Sequence, residues 1–151
     1  LSGPFVVNVR KLRRELGARR HLYLAGPVPG LSIAGAAVEE GAEVSFDGWL
    51  ESTRGGVVVT GRVRAPFVAA CGRCLEPASG VLEAAVHELC RDPSQAEAHG
   101  GEPGEEEDAY PVGPDFLDLQ PIVHDACILE LPLAPLCSES CLGLCPSCGV
   151  N

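Results

Sequence analysis

The chain has 151 residues, enough for one domain with a modest core or one domain plus an appendage. Apolar residues reach 46% but aromatics only 5%, so the core has to be thin and built largely from small residues such as Ala and Val. A net charge of −10 argues against a simple nucleic-acid binder at the level of the whole chain, and no apolar run is long enough to span a membrane.

The charge is unevenly spread. Six of the eleven basic residues fall in the first twenty positions, and nine of the twenty-one acids fall between Asp92 and Asp118 with no Lys or Arg among them. Residues 5–16 begin extended and then read as a helix, with Asn8 as its cap and Leu12 and Leu16 on one face. Arg10, Lys11, Arg13 and Arg14 occupy the other face and form a candidate phosphate grip. Residues 25–35, rich in Gly, Pro and Ala, read as loop.

Three strands follow. Val44, Phe46 and Leu50 alternate with Ser45, Asp47 and Glu51, which puts Trp49 on the polar side. Gly55-Gly56 marks a turn, and Val57–Cys71 is a long strand with Val59, Val63 and Ala65 on one face and Arg62 and Arg64 on the other. Pro66 predicts an edge or a bulge. The turn Cys71-Gly72-Arg73-Cys74 leads to a third strand, Val81–Cys90, with Leu82, Ala84 and Val86 facing one way and Glu83 and His87 the other. This is the pattern of an antiparallel meander with one buried face. Residues 92–114 form an acidic loop. Asp118 is the expected cap of a helix from Leu119 to about Leu131, with Ile122, Ala126, Cys127 and Leu129 facing inward and Pro132 and Pro135 ending it.

The last fifteen residues hold Cys137, Cys141, Cys145 and Cys148. Four thiols at this density suit a structural, tetrahedral Zn²⁺ with no open position for catalysis. Cys71 and Cys74 allow an alternative, a site shared with Cys145 and Cys148 as in a zinc ribbon, and a redox pair is a further reading. Knuckle-like thiol pairs and no visible export signal favour reduced, metal-bound cysteines in the cytoplasm over a secreted disulfide framework. Cys90 and Cys127 read as small core residues. Arg62, Arg64, Arg73 and Trp49 form a candidate RNA surface of guanidinium and aromatic groups. No nucleophile–base pair, phosphate loop or paired-carboxylate site stands out, so no enzymatic activity is expected.

The string Cys71-Gly72-Arg73-Cys74-Leu75-Glu76-Pro77, the acidic stretch, Asp118-Leu119, then Leu131-Pro132-Leu133-Ala134-Pro135-Leu136-Cys137 and Cys141-Leu142-Gly143-Leu144-Cys145-Pro146-Ser147-Cys148-Gly149 resemble the YceD-like family. Its members are called large ribosomal RNA subunit accumulation proteins. The resemblance covers most of residues 44–149, and the first forty residues match only loosely. It implies a non-enzymatic factor supporting accumulation of large-subunit (23S) ribosomal RNA in bacteria and plastids, binding that RNA, a basic ribosomal protein, or both. Family members differ in how many of these cysteines they keep, so the resemblance does not imply zinc for all of them. Neither DNA nor a membrane is an expected partner. An interaction adaptor without RNA affinity is the second reading, and a thiol oxidoreductase using Cys71 and Cys74 is the third.

The expected fold is α+β: an antiparallel meander with a packed helix and a C-terminal Cys-rich zinc-binding tail. The expected division is a basic arm or helix at 1–24, an α+β domain at 25–135 carrying the acidic loop 92–114, and a Cys₄ zinc tail at 136–151. Residue 1 is Leu and the chain has no Met, so the natural start is expected to be absent. The family pattern runs on past Asn151, so a few C-terminal residues are expected to be absent too.

Overall fold

The computed structural model describes residues 3–93 and 110–133. The expected zinc tail and most of the acidic loop lie outside the described residues. The elements are β1 (Val6–Asn8), α1 (Arg10–Arg14), β2 (Arg19–Gly26), β3 (Ser32–Ile33), β4 (Ala36–Ala37), β5 (Val44–Thr53), β6 (Gly56–Ala70), β7 (Pro77–Arg91), β8 (Tyr110–Pro111), β9 (Phe116–Asp118) and α2 (Gln120–Glu130).

The three strands read from alternation are the three long ones, and they form a meander as expected. β6 is the spine. It pairs with β7 along its whole length on one side, and with β5 and then β4 on the other. β2 extends the sheet beyond β5, and β8 adds a short parallel rung at the end of β7. Pro66 is neither at an edge nor at a break in the β6–β7 ladder. It lies past the last β5 rung, Ser45–Arg64, and before the β4 rung Ala37–Val68. A residue without an N–H fits that gap in the flanking ladder.

One face of the sheet is covered. Val44, Phe46 and Leu50 from β5, Val57, Val59, Val63 and Ala65 from β6, and Leu82, Ala84, Val86 and Cys90 from β7 are buried there. They join Phe5, Val7, Val9, Leu12, Leu117, Leu119, Ile122, Val123 and Cys127 in one core, so α2 and the β1–β9 pair form the second layer. The N-terminal residues therefore supply core side chains as well as charge. At the centre, Gly48 faces Gly61 across the β5–β6 ladder. A Cβ on Gly61 would lie 2.7 Å from the Gly48 Cα, and one on Gly48 would lie 2.7 Å from the Phe46 ring. The glycine pair thus leaves room for the Phe46 ring and brings the two backbones close.

Five local expectations change. The N-terminal helix is only five residues long, and Leu16 is 66% exposed because the chain turns at Gly17 into a strand that the basic composition had hidden. Asn8 is not the N-cap, which is Val9, although its side chain accepts a hydrogen bond from the Arg10 N–H at 3.0 Å. Asp118 likewise precedes the true cap, Leu119, and accepts from the Gln120 N–H at 2.9 Å. In α2 the inward residues are Ile122, Val123 and Cys127, while Leu129 is 83% exposed. The segment expected as loop at 25–35 holds the end of β2 and all of β3, which pairs with β4 just beyond it in a small hairpin that turns at Gly35 with φ +88°.

Candidate nucleic-acid interface

The same alternation that fills one face of the sheet loads the other. Alternate residues of β2, β5, β6 and β7 point away from the core, and the register aligns them in rungs. Arg19, Glu51, Val58 and Leu89 form one rung. His21, Trp49, Thr60 and His87 form the next, followed by Tyr23, Asp47, Arg62 and Ala85, and then Ala25, Ser45, Arg64 and Glu83. Arg62 and Arg64 therefore share the face with Trp49, as their spacing predicts.

The centre of this face is ordered. The Arg19 guanidinium lies 5.0 Å from the centre of the Trp49 ring, a cation–π contact. The His21 ring meets Trp49 edge-on at 5.0 Å between centroids, and His21 Nε2 lies 2.6 Å from Asp47 Oδ1. Arg62 donates to Glu83 at 2.7 Å. Trp49 remains 42% exposed and Tyr23 59% exposed. Beside them, Tyr23, Ser45, Asp47, Arg62, Arg64 and Glu83 line a pocket of about 260 Å³. The face therefore holds flat π-surfaces, guanidinium donors and carboxylate acceptors together.

The other RNA candidates are elsewhere. Arg73 sits in the turn after β6, roughly 30 Å along the strand from Arg62 at 3.3 Å per residue. Arg13 does not project as a free cation. It is mostly buried, pairs with Asp92 and donates to the Gly113 carbonyl at 2.6 Å, which ties α1 to the end of β7 and to the segment before β9. Arg10 lies 3.7 Å from Asp115, while Lys11 and Arg14 are exposed. Arg19, His21 and Tyr23 escaped the sequence reading because β2 did. The signal was present in the alternation of His21 and Tyr23 with Leu22 and Leu24.

Two thiols are removed from chemistry. Burial, helped by Glu88, pushes Cys90 up to about 12, and burial pushes Cys127 up to about 11. Such thiols stay protonated and behave as small apolar side chains. The Tyr110 hydroxyl of β8 donates to Asp125 on α2 at 2.6 Å, which holds that carboxyl below the usual carboxylate pKa, and His124 adds to the effect. Among the described residues, no three His, Cys, Asp or Glu side chains gather to hold a metal. Nor, among them, is any helix long and apolar enough to cross a membrane.

The family model described as large ribosomal RNA subunit accumulation protein YceD matches residues 59–151. The chain belongs to the YceD family. The match runs from within β6 through the Cys71–Cys74 turn, β7 and α2 to the cysteine tail. An uncharacterized protein of Mycobacterium tuberculosis is 37% identical over 151 residues, covering 99% of this YceD chain and 72% of the relative. One of Mycobacterium leprae is 35% identical over 155 residues, covering 100% of this chain and 69% of the relative. No solved structure matches.

Proposed function

We propose that this YceD protein is a non-enzymatic, cytoplasmic factor that supports accumulation of large-subunit ribosomal RNA by holding single-stranded segments of that RNA on the open face of its sheet. The observation that carries the reading is the exposed Trp49 ring with Arg19 stacked on it and Arg62 and Arg64 one and two rungs away. Unstacked RNA bases bind to aromatic rings and guanidinium planes and are read by hydrogen bonds at their edges. The mixed charge of the face fits base-edge contact better than tracking of phosphates alone, because Asp47 and Glu83 repel phosphate but accept hydrogen bonds from base amino groups.

The purified chain is expected to bind a single-stranded oligonucleotide from large-subunit RNA, with affinity that falls as salt rises. The triple variant Trp49→Ala, Arg62→Ala, Arg64→Ala is expected to lose about 10- to 100-fold, on the scale of one lost base stack and its charged neighbours. Arg73→Ala should change little. Fluorescence anisotropy reads both. Equal affinity of the triple variant and the parent would remove the sheet face from the proposal. In cells, depletion should lower large-subunit RNA relative to small-subunit RNA, and normal levels would count against the family-level role in this organism.

The net charge of −10 and the acids clustered between Asp92 and Asp118 favour a second reading, an adaptor for a basic ribosomal protein. Binding of such a protein without any RNA affinity would select it. Reduction of a model disulfide by the purified chain would instead revive the oxidoreductase reading.

A further inference from the structure

The pocket on the open face exists because long and small side chains mix in two adjacent rungs. Tyr23, Asp47 and Arg62 stand in one rung, and Arg64 and Glu83 stand in the next. Ala25, Ser45 and Ala85 complete the two rungs with small side chains, which leaves a hollow of about 260 Å³ beside the long ones. The exposed Tyr23 ring lines it. Such a hollow has room for one planar base with its edges facing charged groups.

The charged groups around the pocket are not equally occupied. Glu83 accepts from Arg62 at 2.7 Å, so those two charges largely offset each other. His21 Nε2 lies 2.6 Å from Asp47 Oδ1 and orients that carboxylate. A carboxylate has about four lone-pair sites, so Asp47 keeps capacity for further donors. Arg64 makes no hydrogen bond or ion pair among the described residues. Asp47 and Arg64 therefore have the most capacity left for a ligand. Asp47 lies opposite Arg62, two residues before Arg64 on β6. Diagonal neighbours of this kind are roughly 7–8 Å apart, a gap that a purine can bridge.

The bases differ in how they meet such a pair. Guanine places its O6 and N7 acceptors side by side, where a guanidinium fork reaches both. On its other edge, N1–H and the N2 amino group are adjacent donors that suit the two oxygens of a carboxylate. Adenine has one amino group flanked by acceptors. Uracil has one N–H between two acceptors, and cytosine has one amino group beside acceptors. Guanine alone fills a guanidinium fork on one edge and a carboxylate fork on the other.

We propose that this pocket is a guanine-recognition subsite. The base stacks against Tyr23, Arg64 donates to O6 and N7, and Asp47 accepts from N1–H and the N2 amino group. His21 holds Asp47 in place, and the Arg62–Glu83 pair closes the side of the pocket. The subsite rests on the reading of the open face as an RNA surface and gives that surface a sequence preference. Trp49, one rung away, is placed to stack the neighbouring base. The shared chemistry is the guanine base, which a single-stranded RNA or a free guanine nucleotide could present.

The test uses the full chain and short oligouridines carrying one central guanosine, adenosine, inosine or 7-deazaguanosine, read by fluorescence anisotropy. Guanosine should bind about 10- to 100-fold tighter than adenosine, the range of a good bidentate base contact. Inosine lacks the N2 amino group and 7-deazaguanosine lacks the N7 acceptor, and each should lose about 10-fold against guanosine. Asp47→Asn keeps an oxygen for His21. In that variant the inosine penalty should shrink to about 3-fold or less while the 7-deazaguanosine penalty remains. Arg64→Gln should show the reverse. These are ratios within one protein, so a general loss of affinity or stability does not produce them. Equal binding of the guanosine and adenosine oligonucleotides would overturn the subsite and leave the RNA surface standing. Unchanged penalties in both variants would do the same. Guanosine monophosphate binding that Arg64→Gln abolishes, with no binding of any oligonucleotide, would retain the subsite and remove RNA as its source. Absence of binding by both the oligonucleotides and guanosine monophosphate would overturn subsite and surface together.

Discussion

The two faces of the long sheet are made by the same strands and obey opposite rules. On the inner face, Val44, Phe46, Leu50, Val57, Val59 and Val63 have no solvent exposure, and two facing glycines admit an aromatic ring. On the outer face, aromatic rings, guanidinium groups and carboxylates stand in solvent with their contacts to one another already made. The comparison shows how period-two patterning lets one set of residues hold the fold while the alternate set stays available for a ligand. It also makes a sharp claim: substitutions on the inner face should cost stability, and those on the outer face should cost binding.

The largest effect is expected at the glycine pair. In Gly61→Val the new side chain would meet backbone on the neighbouring strand, since even a Cβ lies 2.7 Å from Gly48 Cα. Backbone cannot move aside as a flexible side chain can, so a loss of at least about 4 kcal/mol is expected. Urea unfolding measures it. A loss below about 1 kcal/mol would mean that the two strands do not approach as closely as the inner-face account requires.

Raising the pH probes the same face without altering its shape until the thiols ionise. The folded value of Cys90 lies at about 12 against an unfolded value near 9, so the fold favours the protonated thiol. Stability from this group is fully present below pH 9 and is lost as pH rises from 9 toward 12. The full loss is up to about 4 kcal/mol, at about 1.4 kcal/mol per unit. Cys127, at about 11, adds a smaller loss over the lower part of that window. Cys90→Ala should be less stable at pH 7 but should lose less on going from pH 9 to 12. An unchanged alkaline slope in that variant would show that Cys90 is not the buried group being titrated.

Arg13 tests whether position in the basic N-terminal segment or contact geometry decides a residue's role. Its side chain is 16% exposed and pairs with Asp92, which is 15% exposed. Arg13→Ala removes this mostly buried ion pair and the hydrogen bond to the Gly113 carbonyl together, so it should cost about 3 kcal/mol. Arg14→Ala, on an exposed side chain, should stay within about 0.5 kcal/mol. Similar costs for the two would return Arg13 to the surface role that its sequence neighbours suggest.

The long strands were legible because Val, Phe and Leu alternate with charged residues over many positions, and tertiary packing had little to override. The outer face was legible for the same reason as far as Trp49, Arg62 and Arg64. Its β2 third was not, because Arg19 and Arg20 continue a basic run that reads as one helical arm, while Gly17 in fact divides it. Helix α2 was legible as a helix but not in its phase. Ile122, Val123, Ala126, Cys127, Ile128 and Leu129 are apolar nearly all round, so spacing alone permits more than one inward stripe. The packed stripe runs through Val123 and Cys127, with Leu119 and Leu131 buried just beyond the helix ends. The Cys71–Cys74 turn was legible as a thiol pair, but its left-handed residue was not, because leucine carries no signal for positive φ.

Only a small loss of stability is expected on the outer face, and it is the most direct check on the division of labour. Trp49 contacts Arg19 and His21, and the Arg62–Glu83 pair has 73% and 45% of its two side chains in solvent. Exposed ion pairs contribute roughly 0–1 kcal/mol, and an exposed cation–π contact about 0.5–1 kcal/mol. The combined variant Trp49→Ala, Arg62→Ala, Arg64→Ala should therefore unfold within about 2 kcal/mol of the parent, with the same dependence on urea. That same protein is expected to lose most of its RNA affinity. If instead it unfolded as readily as Gly61→Val, the stacked groups would be holding the sheet together, and their loss of binding would say nothing about a ligand. Preserved folding with lost binding is the result that assigns the two faces their separate roles.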